Sequence, residues 1–431
     1  MRIDKIEIDN FKNIEKLSIT FDQGVNLFVG ANGSGKTTLL EAINVALGGF
    51  FGEQEQKMQR MIELSEVRII MVDGNPVRTE KTSVEAFSDV IGGNWTRNFN
   101  SITKNNDVKN VRIAGFYGSK ILQDFFKPEN KNIAPLIAYY STQRLFKDAS
   151  QSAKQKFDPL AGRRNGYLQC LKDNAIKGAL VEWLANAVTS RATKQIKEID
   201  SVDLVLENVE KAIKKTLASF NDDILENDIK IYQEAKFDFE LFIQLKDNFS
   251  LPINYYSDGF RNIIYLIVDL IWRASQLNPW LTLEEIINQQ SGCVTIDEID
   301  LHLHPKWQGK AIAILQELLP KVQFFITTHS PTVVANFDNG SLFVINEGSV
   351  VKHNSDYFGK EINFVLRNVL GASDRHVPTQ QKIDHLLQLI DTQPDSKEIR
   401  PLLDGLVAQF GEDDPDIQKA IALYELSIYQ D

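Results

Sequence analysis

Cysteine is nearly absent from the 431-residue chain, which carries only Cys170 and Cys293. The two stand far apart, which excludes a disulfide framework and a cysteine-built zinc site. Long apolar runs are missing as well. No stretch approaches the roughly 18 residues that span a bilayer. The opening MRIDKIEIDNF lacks the apolar core and small-residue cleavage site of a secretory signal. The expectation is a cytoplasmic protein with no membrane partner. Excess positive charge is lacking too, since 47 Lys and Arg face 58 Asp and Glu for a net charge of −11. That balance argues against uniform coating by nucleic acid but leaves room for a local basic groove. Some of the acid gathers at Glu412, Asp413, Asp414 and Asp416, read as a solvated loop between helices. Neither internal repeats nor low-complexity segments occur. What is present, 43% hydrophobic residues over this length, suits a globular chain with two or more cores.

The pattern along the chain alternates strands and helices. LSITF (Leu17 to Phe21) alternates as a half-buried strand does, and VNLFVG reads as a buried strand ending at Gly30. A glycine-rich loop and the helical TTLLEAINVALGG follow. Residues 50–130 are irregular, with turns at DGNP, IGGN and KNN, and read as an insertion of short strands and helices. LIAYYSTQR is strand-like. Between about 165 and 228 the periodicity is helical, with Leu206, Val209, Ile213, Leu217 and Phe220 on one core-facing stripe. FDFELFIQL alternates as a strand. After SDG comes the helix FRNIIYLIVDLIWRA, then the strand GCVTI, a helix from about Trp307 to Leu318, and the strand QFFITT. The expected division is a head over 1–355 and a helical tail over 356–431, the tail serving interaction or oligomerisation.

Gly30-Ala-Asn-Gly-Ser-Gly35-Lys36-Thr37 fits G-x-x-x-x-G-K-[ST] at every position, with a strand before it and a helix after. The glycines let backbone N–H groups wrap phosphate oxygens, and the helix adds the positive end of its dipole. ATP is therefore the expected ligand, held by Gly30, Asn32, Gly33, Ser34, Gly35, Lys36, Thr37 and Thr38. Lys36 reaches the β- and γ-phosphates, and the Thr37 hydroxyl ligates Mg²⁺.

TIDEIDLHLHP (295–305) packs three carboxylates and two histidines together. Such a cluster suggests a transition-metal shell on its own. A His-x-His pair chelates from a strand, however, and Pro305 marks a loop and a helix start instead. A phosphate loop needs an acid at the end of a second strand, and GCVTIDE supplies it. Asp297 joins Thr37 in the Mg²⁺ shell, and Glu298 polarises the attacking water. QFFITTHSP sets His329 at a third strand end, in position to bond the γ-phosphate or that water.

With these residues in place, the chain resembles the ABC-type ATPases of the SMC/RecF class. Within that class it is most similar to the ATPase subunits, PtuA, of Septu-type bacterial anti-phage systems and their retron-associated relatives. The resemblance rests on IDNFKNI, GANGSGKTT, YYSTQR, YSDGFRN, TIDEIDLHLHPKWQ and ITTHSP, and continues into FGKEINFVLRNVLGASDR. It implies an α/β P-loop NTPase head with a mixed central sheet, an antiparallel β subdomain, a helical insertion and a helical C-terminal tail.

The resemblance also implies that two copies pair head to tail, each nucleotide lying between the phosphate loop of one and a signature motif of the other. Ser257 then donates to the γ-phosphate from the second copy, assisted by the Gly259 N–H. The familiar Ser-Gly-Gly-Gln is Ser-Asp-Gly-Phe here, followed by Arg261, which puts turnover rate in question more than binding. Gln143 is implied as a sensor of Mg²⁺ and water, and Lys12 and Asn13 as neighbours of the nucleotide. His304 is implied to face the partner head, with His302 and Asp300 shaping the loop. The implied role is anti-phage defence, with ATP binding and hydrolysis gating a separate HNH-type nuclease. No nuclease is expected in this chain, because its tail lacks strand-end acids. The alternatives are a RecF-like repair ATPase that binds DNA, and a nucleotide-sensing scaffold with very slow turnover.

Overall fold

A computed structural model describes residues 1–52, 55, 58–107, 111–127, 129–142, 159–172, 183, 184, 187, 189–191, 203–220, 225, 229–234, 240–244, 250–346, 349–353, 357–371 and 375–428. The chain divides into two compact units, Met1–Val365 and Leu366–Asp431. The division falls later than the 355/356 expected from the sequence.

The centre of the first unit is a six-stranded sheet. The phosphate-loop strand, Val25–Val29, pairs in parallel with Val322–Thr328 on one side and with Ser341–Asn346 on the other. The acid strand, Gly292–Ile296, pairs in parallel with Val322–Thr328 and with Leu136–Tyr140. Ser349–His353 closes the far edge in antiparallel sense, so the sheet is mixed. Every residue of Val25–Val29, Gly292–Ile296 and Val322–Thr328 is buried. Those strands are largely apolar without alternation, as parallel strands covered on both faces are, and bury the polar Asn26, Thr295, Gln323, Thr327 and Thr328. One strand separates the phosphate-loop strand from the acid strand, and all three end on the same side. This arrangement is an α/β phosphate-loop head with a mixed central sheet.

A second sheet is five-stranded and antiparallel. Lys81–Ser88 lies within the region read as an insertion, yet it pairs directly with the N-terminal strand Lys5–Phe11. Gly93–Asn100 and Asn105–Asp107 extend the same sheet. Its strands bury alternate residues, the mark of one covered and one open face. The covered face packs on the phosphate-loop helix, Lys36–Leu47, where the buried Trp95 donates its Nε1–H to Ala46 O at 2.8 Å.

The helix Leu204–Phe220 buries Leu206, Val209, Ile213, Leu217 and Phe220, as its spacing requires. Of the alternating strand FDFELFIQL, Glu240–Gln244 is strand, and residues 237–239 and 245 lie outside the described residues. Two helices start earlier than the apolar pattern alone suggests, because side chains cap them. Ser257 accepts from Phe260 N, so the helix runs Asp258–Leu277 and SDG forms its first turn. His304 caps Pro305–Leu318, with proline in the first turn. The tail packs Val377–Thr392, Ile399–Phe410 and Pro415–Ile428 around Ile383, Leu386, Ile390, Ile399, Leu403, Leu406, Ile417 and Ala420. Among the described residues no helix is long and apolar enough to cross a membrane.

Candidate functional site: a phosphate loop facing two acids

Three strand ends converge on the start of one helix. The phosphate loop enters that helix through Gly35 at φ 108°, a left-handed geometry that disfavours any side chain with a Cβ. Gly33, at φ 79°, makes the same turn in the exposed part of the loop. Gly30 is required by space: a Cβ there would lie 2.3 Å from Ile345 O and 2.9 Å from Ser34 Oγ. Asn13 packs on the loop from outside, its Nδ2 3.1 Å from where a Cβ of Gly35 would be.

Lys36 is 5% exposed and donates to the carbonyls of Gly30 and Ala31, each at 2.9 Å. Burial lowers its pKa below 10.5, and Asp297, Glu298 and Asp300 oppose that shift. Thr37 Oγ1 donates to Asp297 Oδ2 at 2.9 Å. Residues 260 positions apart in sequence thus meet as a pair of hard oxygen donors. Thr327 Oγ1 donates to the other oxygen, Asp297 Oδ1, at 2.6 Å.

Glu298 sits at φ 48° and His302 at φ 60°, both left-handed without being glycine. Such conformations cost about 1–2 kcal/mol each, so the loop between them is held by its surroundings. Glu298 N donates to Thr327 Oγ1 at 2.8 Å, and Ile299 N to Thr327 O at 3.1 Å. Thr328 Oγ1 donates to Asp300 Oδ1 at 2.5 Å. His329 Nε2 stands 3.9 Å from Glu298 Oε1. Burial, then the Lys36 charge, lower the imidazole pKa below 6.5, with Asp300 and Asp297 opposing. The neutral ring is the form this setting favours.

Lys36, Thr37, Asp297, Glu298 and His329 therefore share one site with the glycine loop. Ser257 and Gly259 stand at the far end of the acid loop. The exposed Ser257 caps its own helix, while Gly259 packs so closely that a Cβ would lie 2.2 Å from His302 O. Asn262 Nδ2 donates to Leu301 O at 2.8 Å beside it. The Arg261 guanidinium pairs with Asp258. His304 Nδ1 accepts from Lys306 N at 3.3 Å. Lys12 pairs with Glu41 on the phosphate-loop helix. Gln143 lies outside the described residues.

The site suits a nucleotide triphosphate with Mg²⁺. The Ser34 hydroxyl is buried in the loop without a hydrogen-bond partner, the glycines leave backbone N–H groups uncovered by side chains, and Thr37 and Asp297 offer oxygen donors. Thr327, Thr328 and Asn262 were not singled out from the sequence. Two hydroxyls directly before a strand-end histidine are the signal that TTH carries.

A family model described as an AAA domain matches residues 5–250. The chain is 25% identical to the retron Ec83 probable ATPase of Escherichia coli, covering 100% of this chain and 88% of that one. It is 25% identical to the Septu protein PtuA of Bacillus thuringiensis, over 95% of this chain and 98% of that one. Among solved structures, an SMC head bound to the C-winged helix domain of ScpA aligns with a TM-score of 0.48 and 16% identity, over 82% of this chain and 98% of that one.

Proposed function

The chain belongs to the AAA domain family, and from that membership we propose that it is the ATP-hydrolysing subunit of a bacterial anti-phage complex. In this reading two copies pair head to tail around ATP and together gate a separate HNH-type nuclease. The observation that carries hydrolysis is the meeting of Thr37, Asp297 and Thr327, with Glu298 directly after Asp297 and His329 3.9 Å from it. Near-full-length similarity to Septu and retron ATPases supports the defence role.

The roles follow from the groups. Lys36 and the loop N–H groups bind and orient the phosphates. Thr37 and Asp297 would hold Mg²⁺, which when bound neutralises charge developing on the phosphate oxygens. Glu298 accepts the proton of the attacking water. His329, kept neutral, bonds the γ-phosphate or that water. Pairing is supported by the exposure of Ser257, which caps its own helix beside the close contact of Gly259 with His302 O. A serine there is placed to serve a second copy.

Steady-state hydrolysis of ATP with Mg²⁺ tests the reading. Glu298→Gln keeps ATP binding and slows turnover about 100-fold or more; unchanged turnover excludes Glu298 as the water-activating group. Lys36→Ala and Ser257→Arg chains, each inactive alone, regain activity when mixed, because a mixed pair holds one intact site. Confirmed heterodimers without rescue overturn the pairing.

A further inference from the structure

Thr327 is the penultimate residue of the strand Val322–Thr328 and is fully buried. Its hydroxyl has one proton and two partners. An ionised carboxylate only accepts and a peptide N–H only donates. The hydroxyl therefore donates to Asp297 Oδ1 at 2.6 Å and accepts from Glu298 N at 2.8 Å. Its carbonyl also receives Ile299 N at 3.1 Å, so Thr327 holds the backbone immediately before and after Glu298. Those two bonds bracket the one acid of the pair that sits in a left-handed conformation, φ 48°. On the other side, Thr37 occupies Asp297 Oδ2 at 2.9 Å. With both oxygens already engaged, rotation of the Asp297 carboxylate is blocked and its remaining lone pairs keep one direction.

We propose that Thr327 is a positioning residue that sets both acids through one hydroxyl: it fixes the Asp297 carboxylate for Mg²⁺ and holds the Glu298 backbone turn. The inference rests on the hydrolysis proposed above. It deepens that reading, because the metal acid and the water acid are then not independent parts. Disturbing Thr327 displaces both together, through its hydrogen bonds to Asp297, Glu298 and Ile299. Its neighbour Thr328 points to the opposite face and bonds Asp300 Oδ1 at 2.5 Å, with Ser330 N donating to it at 3.0 Å. Thr328 therefore shapes the later part of the loop, while Thr327 acts on the two acids.

Thr327→Val keeps the shape and removes the hydroxyl, and Thr327→Ser keeps the hydroxyl. Outer-shell partners of this kind change activity or metal affinity about 10- to 100-fold. For Thr327→Val the expected loss is in kcat by that factor. The Mg²⁺ concentration for half-maximal rate should rise, and Thr327→Ser should regain most of the rate. A second readout is the gain in affinity for a fluorescent ATP analogue when Mg²⁺ is added, which does not depend on turnover. In Thr327→Val that gain shrinks. A gain equal to wild type, or a kcat within twofold of it, overturns the inference. So does equal impairment of Thr327→Ser and Thr327→Val, which marks a merely structural threonine. Wild-type protein that shows the Mg²⁺-linked gain but no hydrolysis sinks the hydrolase reading, and the affinity comparison still decides Thr327.

Discussion

Gly259→Ala offers a test in which the sign of the effect is decisive. Gly259 lies in the first turn of Asp258–Leu277 without positive φ, and alanine in a helix is ordinarily favoured over glycine by about 1 kcal/mol. Local propensity thus predicts stabilisation. The surroundings predict the reverse. The new Cβ would fall 2.2 Å from His302 O, 3.0 Å from His302 C and 3.2 Å from Leu303 Cα, all backbone atoms. Relief requires a separation of helix and acid loop by about 1 Å. The loop resists, because His302 is already left-handed and Asn262 ties Leu301 O to the helix at 2.8 Å. Overpacking costs about 1–3 kcal/mol, and straining the Asn262 bond adds about 1 kcal/mol. After the helix gain is subtracted, the head loses about 1–3 kcal/mol. A shift of that size, transmitted to Glu298 along the same loop, slows hydrolysis up to about 100-fold. The measurements are the melting temperature of the head, ATP binding and kcat. Binding should hold, since the phosphate loop is untouched, while melting temperature and kcat fall. A melting temperature at or above wild type with unchanged kcat refutes the close-packing account.

Two further outcomes follow from the same structure. Gly405 lies inside Ile399–Phe410 with nothing within 4 Å of an added Cβ, so Gly405→Ala should stabilise the tail by about 0.5–1 kcal/mol, read by chemical denaturation. For His329, whose folded pKa lies below 6.5, protonation is resisted in the native state, so stability falls as pH drops below 6.5 and levels once the folded pKa is passed. The acid limb of kcat/KM, which reports the free protein, should accordingly lie below pH 6.5 and vanish in His329→Asn; a limb centred at or above 6.5 in the wild type counts against a neutral imidazole.

The parts of the site that were legible in the sequence are contiguous ones. The glycine loop, Thr37, the acid pair and His329 each sit in a short run whose spacing states its chemistry, and periodicity marks the strands that deliver them. Parallel strands are buried on both faces, so Val25–Val29 and Gly292–Ile296 stand out as apolar runs. What stayed hidden depends on long-range geometry. Thr327 is one more threonine until Asp297 is found 30 positions away at its hydroxyl. Gly259 reads as a variant signature residue, and only the approach of His302 shows why a side chain is excluded. Lys81–Ser88 looked like inserted material because its alternation names one open face but not the partner strand that covers its edge. The capped starts at Asp258 and Pro305 lie ahead of the apolar pattern, since caps work through polar atoms that periodicity ignores.

The position of Val25–Val29 between Val322–Thr328 and Ser341–Asn346 has a consequence for synthesis. The phosphate-loop strand is made roughly 300 residues before either of its neighbours; Ile3, too, bonds Gln323, 320 positions away. At ordinary elongation rates the ribosome takes about 15–60 s to cover that interval. Throughout it, a strand that the finished sheet buries completely waits without an edge to join, while the antiparallel sheet, whose strands all lie within residues 5–107, can already close. The head is therefore a late-assembling structure, exposed to aggregation in its nascent form. Its phosphate loop meets Asp297 only after the 260 positions between Thr37 and that acid have been made, so the metal-binding pair forms well after the loop itself.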